Sequence, residues 1–361
     1  MSINELTIVF PVDFGRRGAD LLARVKAHAE FAMQHGIRLV FGYNQRLSKI
    51  DFEFQRYVES LSKESVQVGI VKTEEVNLAK LRNVAVDKVQ TTLVLLLDLD
   101  IVISIELVRT VLYQFGKREA LFVMLPCLYL TEKGSKIIAN GDVAGEYIVK
   151  DFFARSRRYV QHLAMPSSVI LLEKKEYVML NGFDESYHGH GYEDFDFMLR
   201  LFSKNGLNPT QSLMFDEPYK APLLSRGFRA VFAEQCIDHV INKAFVFHLY
   251  HKKAHDDLYY RKRIDNAKIF KQKVQQLLQN DSLSVTPLGC EQQNETGSVV
   301  EYPSLIPAFY RKIALAGRDV NDYFVLFDAG LKKGFKKRLF EKYRNLKIEI
   351  FGVKNDFVKK N

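Results

Sequence analysis

Two carboxylates stand directly after a continuous apolar run. Residues 93–97 are all Leu or Val, and Asp98 and Asp100 follow with one residue between them. Such a run is typical of a strand buried on both faces, and open α/β sheets bind ligands where such strands end. Two carboxylates there can hold a divalent cation that bridges two phosphates and offsets the charge of a departing diphosphate. An aspartate that merely caps a turn is the alternative interpretation.

A second acidic pair, Glu193 and Asp194, ends the segment N-G-F-D-E-S-Y-H-G-H-G-Y-E-D at residues 181–194. Gly189 and Gly191 allow the backbone to pass close to a ligand. The pair begins a predicted helix, whose N-terminal dipole stabilises negative charge. One of the two carboxylates can therefore act as a base, unless the pair is an ordinary acidic helix cap.

The segments around these motifs alternate short apolar runs with amphipathic stretches. This alternation is typical of an α/β fold with a mostly parallel sheet. The predicted strands are 6–10, 37–43, 66–71, 92–97, 121–125 and 169–172. The predicted helices are 19–35, 76–88, 193–205 and a long basic helix at 256–278. The periodicity fades between residues 128 and 161, which predicts an irregular, mobile connection.

The length of 361 residues, 47% of them hydrophobic, suits one large α/β domain with an appended piece, or two modest domains. Residues 280–304 are rich in Ser, Gln, Asn, Gly and Pro, a composition typical of a linker. The predicted organisation is therefore an α/β domain at 1–279, a linker at 280–304, and a basic helical C-terminal extension at 305–361.

The net charge of +9 indicates attraction to polyanions, which include nucleic acid, an anionic membrane and a diphosphate substrate. The basic residues are concentrated after residue 250 without a nucleic-acid motif, so we expect no nucleic-acid partner. Three widely spaced cysteines, Cys127, Cys236 and Cys290, favour a reducing compartment. No signal peptide and no apolar run of roughly 20 residues is visible, which predicts a cytoplasmic protein.

The tail repeats an apolar residue every fourth position among basic ones, at Leu331, Phe335, Leu339 and Tyr343. This pattern suits a helix that lies on an anionic bilayer, here the inner face of the plasma membrane. A helix packed on its own domain explains the pattern equally well.

Two segments resemble a known family. Residues 76–85, V-N-L-A-K-L-R-N-V-A, and residues 181–196 resemble β4-galactosyltransferases and family 2 relatives such as bacterial chondroitin-polymerase-like enzymes. The resemblance extends over about residues 6–270. It implies a GT-A fold and an inverting, metal-dependent transfer of a hexose or N-acetylhexosamine from a UDP-sugar to a glycan or lipid-linked acceptor. The implied setting is bacterial capsule or lipopolysaccharide synthesis.

The resemblance also implies residue roles. Asp194 corresponds to the base that takes the acceptor proton, and Glu193 to a residue that binds sugar hydroxyls. The predicted substrate-binding residues are Gly189, His190, Gly191 and Glu193. His190 departs from the pattern, because many relatives have Trp there, and this leaves the specificity for both donor and acceptor open.

The donor is expected at the strand ends. The resemblance assigns Arg82 and Asn83 to the nucleotide pocket, together with Asp98, Leu99 and Asp100. The turn after the first strand, with Pro11, Asp13, Arg16 and Arg17, stands where relatives hold the base, ribose or diphosphate. In one interpretation, the arginines of this turn make charge-assisted contacts to phosphate. In the other, the turn is simply exposed to solvent.

A histidine is implied as a further metal ligand beside Asp98 and Asp100. His248 is the first choice and His251 the second, with a purely structural histidine as the alternative. Imidazole beside carboxylate favours Mn²⁺ over Mg²⁺.

Two other functions compete with sugar transfer. A nucleotidyltransferase can also use an aspartate pair at a strand end, but it releases pyrophosphate. A basic nucleic-acid-binding module is the third possibility. The chain lacks G-x-x-x-x-G-K-[ST], which argues against an ATPase.

Overall fold

The computed structural model describes residues 1–15, 17–117, 121–138, 143–206, 211–218, 221–252, 258–281 and 304–327. Its strands are β1 (Leu6–Val12), β2 (Arg38–Asn44), β3 (Val66–Val71), β4 (Leu93–Leu96), β5 (Ile101–Val102), β6 (Phe122–Met124), β7 (Cys127–Leu130), β8 (Val160–Ala164), β9 (Ile170–Glu173), β10 (Asp216–Glu217), β11 (Arg226–Gly227) and β12 (Val246–His248).

The helices of the described residues are α1 (Gly18–His35), α2 (Lys49–Glu59), α3 (Leu78–Lys88), α4 (Ile105–Gly116), α5 (Glu132–Ile138), α6 (Val143–Phe153), α7 (Lys174–Met179), α8 (Glu193–Lys204), α9 (Phe228–Ala233), α10 (Ile237–Ile241), α11 (Leu258–Arg261), α12 (Arg263–Asp281) and α13 (Leu305–Leu315). Short 3₁₀ helices lie at Ile3–Glu5, Gln211–Met214, Pro222–Leu224, Glu234–Cys236 and Val320–Phe327. Within this part of the chain, no helix combines the length and the apolar character needed to cross a bilayer.

The central sheet has six strands in the order β3-β2-β1-β4-β9-β6. The first four are mutually parallel, whereas β9 runs antiparallel to β4 and β6. All four residues of β4 are buried, as expected for a strand covered on both faces. The predicted α/β class with a mostly parallel central sheet is thus confirmed.

A second sheet of four short strands, in the order β5-β12-β7-β8, adjoins the first. The prediction of an irregular connection at 128–161 is wrong, because this stretch holds most of β7, helices α5 and α6, and the start of β8. These strands have only four or five residues, too few for a clear alternation, and β7 pairs with β12 more than a hundred residues later. The sequence of either segment alone does not indicate pairing with a strand so far away in the chain.

Most predicted helices lie within a residue or two of the observed ones, because caps mark their ends. The side chain of Asn77 caps α3 by accepting a hydrogen bond from the backbone of Lys80, and Gly36 ends α1 with a φ of 66°. The long helix predicted at 256–278 is wrong in one respect. It is two helices, α11 and α12, with a break at Lys262.

The described part of the predicted extension packs on the main body. Phe309 of α13 and Tyr323 of the following 3₁₀ helix belong to the same hydrophobic cluster as Phe232 of α9 and Ile241 of α10. The Tyr323 hydroxyl donates to the Ile241 carbonyl at 2.6 Å. Residues 282–303 and 328–361 lie outside the described residues, so the linker, the domain boundaries and the tail helix stay predictions.

Candidate active site

A cleft of about 710 Å³ opens at the carboxyl edge of the central sheet. This volume is within the range of about 300–1,000 Å³ that small-molecule sites occupy. Parallel pairing of β1 and β4 brings their carboxyl ends to the same edge. The residues that line the cleft include Pro11, Asp13, Arg17, Arg82, Asp98, Leu99, Asp100, His190, Gly191, Glu193, Asp194, His248 and His251.

Arg82 connects the two acidic motifs. From α3 its guanidinium donates to Asp98 at 2.7 Å and to Glu193 at 3.2 Å. The Arg82 side chain is almost fully buried and lies 4.9 Å from the ring centroid of Phe183. Because each pair joins opposite charges, one buried cation holds carboxylates that stand 95 residues apart in the chain.

Asp100 is held by two other arginines. Arg17 donates to both carboxylate oxygens, at 2.9 and 2.7 Å, and Arg24 of α1 donates to one of them. Burial acts to raise the pKa of Asp100, but the charges of Arg24 and Arg17 outweigh it and keep this pKa below its ordinary value. Asp100 is therefore ionised at neutral pH.

Asp100, His248 and His251 form a cluster whose ligand atoms all lie within 4.8 Å of one another. Strand register brings them together, since β5 directly follows Asp100 and pairs antiparallel with β12 through His248 and Ile101. The Leu249 amide also donates to the Asp100 carbonyl at 2.7 Å. The cluster thus contains both histidines that the sequence proposed as alternatives, while Asp98 bonds to Arg82.

The cluster suits a metal ion. Burial lowers the pKa of His248 to about 4, while the charge of Asp100 acts in the opposite direction, so the imidazole is neutral at neutral pH. Its Nδ1 lies 2.9 Å from the Leu249 carbonyl, which leaves Nε2 as the ligand atom. One carboxylate and two neutral imidazoles form a donor set suited to a first-row transition metal such as Mn²⁺.

A row of flat rings crosses the second sheet beside this cluster. Tyr129 of β7 stacks on His248 with 4.1 Å between ring centroids, and on His162 of β8 with 4.4 Å. The three residues are cross-strand neighbours. Tyr129 and His162 also line the cleft, so the ring of His248 is supported by packing.

The loop before Glu193 depends on unusual backbone angles. Gly189, Gly191 and Tyr192 have φ values of 69°, 83° and 75°, in the region that favours glycine. A Cβ on Gly189 would stand 2.7 Å from the Tyr259 carbonyl oxygen. Only glycine therefore fits at residue 189, where α11 approaches the loop.

Asn266 of helix α12 holds this loop through its side-chain amide. The amide nitrogen of Asn266, which is buried, lies 2.9 Å from the carbonyl oxygens of His188 and Gly191 and 3.4 Å from that of His190. The His190 amide in turn donates to the Tyr259 carbonyl at 3.0 Å. Helices α11 and α12 thus position the start of α8, where the second acidic pair lies.

The acidic pair itself is strongly perturbed. Burial, together with the charge of Asp194, raises the pKa of Glu193, while Arg82 acts to lower it. Burial also raises the pKa of Asp194, against the charges of Arg82 and Arg263. Glu193 Oε2 is buried and has no hydrogen-bond partner within the described residues, whereas its Oε1 accepts from Arg82. One oxygen is therefore left to accept a hydrogen bond from a ligand.

Two predicted donor-binding residues have their polar groups engaged by the protein. Asn83 donates to the Phe183 carbonyl and accepts from the Phe183 amide, both at 2.9 Å, so it supports the 181–194 motif. The Asp13 carboxylate accepts hydrogen bonds from Asn44 and Arg46. Arg16 lies outside the described residues.

Sequence reasoning missed several residues of the site. Arg24 and His28 stand three and seven residues after Leu21 on the buried side of α1, and His28 Nε2 lies 3.0 Å from the Leu99 carbonyl. Polar residues at apolar helix positions were an available signal for both. No sequence signal marked Arg263 or Asn266, because the sequence of a basic, polar helix such as α12 does not indicate which side chains point inward.

The chain has an α/β fold with a cleft at the carboxyl edge of the sheet, which is where open α/β folds generally bind their ligands. Over residues 72–276, more than half of its length, the sequence matches the family described as "Glycosyltransferase like family 2". The chain belongs to this family, and the glycosyltransferase class and GT-A fold predicted from the sequence are confirmed. No curated protein matches it.

Solved structures with detectable similarity include S. aureus TarS 1-349, at 14% identity and a TM-score of 0.37 over 55% of each chain. The TarS structure in complex with UDP-GlcNAc matches at 12% identity and a TM-score of 0.40, over 95% of this chain and 72% of that one. The catalytic domain of Drosophila beta1,4-galactosyltransferase 7 with xylobiose matches at 16% identity and 0.31, over 56% and 62%. The first and third matches span less than two thirds of those chains.

Proposed function

We propose that the protein is an inverting, metal-dependent glycosyltransferase that moves a hexose or N-acetylhexosamine from a UDP-sugar to a hydroxyl of a glycan acceptor. The observation that carries the proposal is that Asp98, Asp100, Glu193 and Asp194 line one cleft. The buried Arg82 bonds to a member of each motif. A group that binds the donor and a group that removes a proton thus belong to one site.

The strand-end part of the cleft suits the donor diphosphate. Asp100, His248 and His251 would hold Mn²⁺, and Mg²⁺ is the alternative ion. When bound, the ion supplies positive charge that offsets the charge of the departing diphosphate. Arg17 lies beside the same carboxylate and can donate to a phosphate oxygen. The assignment of the nucleotide as a uridine diphosphate rests on the resemblance of residues 76–85 and 181–196 to galactosyltransferases.

Asp194 acts as the base in this proposal. Its carboxylate takes the proton of the acceptor hydroxyl, the hydroxyl oxygen bonds to the anomeric carbon, and the bond from that carbon to the diphosphate oxygen breaks, which releases UDP. Attack opposite the leaving diphosphate inverts the anomeric centre. Glu193 Oε2 accepts a hydrogen bond from a sugar hydroxyl, which would satisfy its unpaired buried oxygen.

The experiment is a screen of UDP-sugars for Mn²⁺-dependent release of UDP, with a matched reaction in which a chelator removes the metal. The donors include UDP-linked galactose, glucose, their N-acetylated amines and glucuronate. We expect one donor to give UDP and a glycoside with the opposite anomeric configuration. A nucleotidyltransferase would release no UDP in this screen and would instead release pyrophosphate from UTP and a sugar 1-phosphate, which a parallel reaction tests. A retained configuration would contradict the inverting mechanism.

The proposed setting is synthesis of a bacterial capsule or lipopolysaccharide on the cytoplasmic side of the plasma membrane. It rests on the resemblance to bacterial polysaccharide enzymes and on the basic tail after residue 328. Binding of the full chain to vesicles with anionic lipids, compared with a chain ending at residue 327, tests the membrane contact. Equal binding by both chains would contradict it.

A further inference from the structure

Four arginines line the cleft among the described residues, and three of them are bound to carboxylates. Arg17 pairs with Asp100, and Arg82 pairs with Asp98 and Glu193. Arg229 pairs with Asp216. The fourth, Arg263, forms no ion pair with any carboxylate of the part of the chain that the structure describes. It is thus the cleft arginine that no described carboxylate contacts at ion-pair distance, although its charge acts on nearby Asp194.

Arg263 lies at the first turn of α12, next to the acidic pair. Its guanidinium carbon is 4.8 Å from the ring centroid of Tyr192, and its Nη1 packs so closely on Gly191 that a Cβ there would stand 2.3 Å away. Arg263 is half-buried. Contact with the ring and the glycine fixes the guanidinium in the cleft, so little conformational entropy is lost when a ligand binds.

The position of Arg263 separates it from the proposed donor site. Arg263 contacts Gly191 and Tyr192, which directly precede Glu193 and Asp194 in the sequence. Arg17 and Arg24, in contrast, bond to Asp100. A second phosphate-binding arginine for the donor would be expected beside Asp100. A cation beside the base is instead placed to contact the molecule whose hydroxyl the base deprotonates.

We propose that the acceptor carries an anionic group, a carboxylate or a phosphate, close to the hydroxyl that reacts, and that Arg263 binds this group. This inference rests on the proposed function, because it assumes that Asp194 faces an acceptor. Guanidinium forms paired hydrogen bonds with both kinds of anion. The acceptor class is therefore an acidic glycan, either one with uronate residues or one with phosphate substituents.

Arg229 provides the internal comparison. It also lines the cleft and packs on aromatic rings, those of Phe195 and Phe228. Its charge, however, is taken up by Asp216, which also accepts a hydrogen bond from the Tyr192 hydroxyl. In this cleft, Arg229 therefore packs on rings and also has a carboxylate partner, whereas Arg263 packs on a ring and has no such partner among the described residues.

The test measures binding of three p-nitrophenyl glycosides to the full chain in the presence of UDP and Mn²⁺. The β-glucoside is neutral, the β-glucuronide carries a carboxylate, and the β-glucoside 6-phosphate carries a phosphate. We expect at least one charged glycoside to bind about 10-fold more tightly than the neutral one, the factor expected for one charge-assisted contact. The charged glycoside that binds more tightly identifies the kind of anion.

Three variants assign the preference to Arg263. Arg263→Gln should abolish it, and Arg263→Lys should keep part of it. Lys268→Gln removes the same charge from the exposed face of α12 and should leave it unchanged, since Lys268 is 70% exposed. The proposal is overturned if no charged glycoside binds more tightly than the neutral one, or if the preference survives in Arg263→Gln.

The outcome also separates this proposal from the proposed function. If the wild type releases UDP from a UDP-sugar but shows no preference for charged glycosides, only the acceptor class is wrong. If no UDP-sugar yields UDP, the proposed function fails whatever the glycosides do. If Arg263→Gln slows transfer equally to neutral and charged acceptors, Arg263 only tunes Asp194, and the anion-binding role is overturned.

Discussion

The two parts of the cleft are built in different ways. The strand-end part, with Asp98, Asp100, His248 and His251, takes its geometry from the pairing of β1, β4, β5 and β12. The loop part, residues 189–194, has three residues with positive φ and is held by α11 and α12. Strand pairing is repeated along a ladder, whereas the loop depends on a few side-chain contacts. The loop part should therefore be the more sensitive to changes far from the site.

The largest effect is expected from a substitution in the loop part that removes a proton acceptor without changing the side chain's shape. Asp194→Asn keeps the shape of the side chain but removes its ability to take a proton. We expect transfer to fall by about 100- to 10,000-fold, the usual contribution of a general base, while Mn²⁺-dependent UDP binding stays unchanged. Steady-state kinetics and UDP calorimetry measure the two. Transfer at the wild-type rate would show that the base is another residue.

The corresponding change in the strand-end part is His248→Ala. Loss of a ligand should weaken Mn²⁺ binding by more than the roughly 10- to 100-fold that outer partners of a ligand contribute. His162→Ala is the matched control, because His162 also stacks on Tyr129 but is not in the cluster with Asp100. Calorimetric titration with Mn²⁺ compares them. Equal Mn²⁺ affinity in the wild type and His248→Ala would remove His248 from the metal site.

Asn266→Ala tests the dependence of the loop on α12. It leaves the carbonyl groups of His188 and Gly191 without their donor, so the free energy of unfolding should fall by about 1–3 kcal/mol. Gln272→Ala on the exposed face of the same helix should change it by less than about 0.5 kcal/mol. Urea unfolding measures both. We also expect slower transfer with unchanged UDP binding, and an equal loss of UDP binding would contradict the separation of the two parts.

The smallest effect concerns pH. Burial raises the pKa of Asp194, and burial with the charge of Asp194 raises the pKa of Glu193 to about 7. A protonated carboxyl group cannot accept the acceptor proton, so kcat/KM should rise with pH, by about tenfold per unit below the pKa of the pair. Rate measurements across the neutral range test this. A rate that falls as pH rises through neutrality would contradict a carboxylate base.

Local patterns in the sequence determined much of the molecule. The alternation of apolar and amphipathic segments predicted the α/β class and most strand and helix positions, because burial acts on neighbouring residues with fixed periods. The D-x-D at the end of β4 and the E-D at the start of α8 stand where the motifs predicted. The family resemblance came from residues 76–85 and 181–196. Each of these segments is continuous, so its motif can be recognised in a single sequence.

Tertiary structure alone decided which distant residues meet. Pairing of β5 with β12 brings both His248 and His251 to Asp100, although the sequence offered them as alternatives. Packing of α12 brings Asn266 and Arg263 to the loop, and neither has a local signal. Strands β7 and β8 of the second sheet were missed for the same reason. Strand partners and helix packing depend on contacts between residues far apart in the chain, and no periodicity within one segment records them.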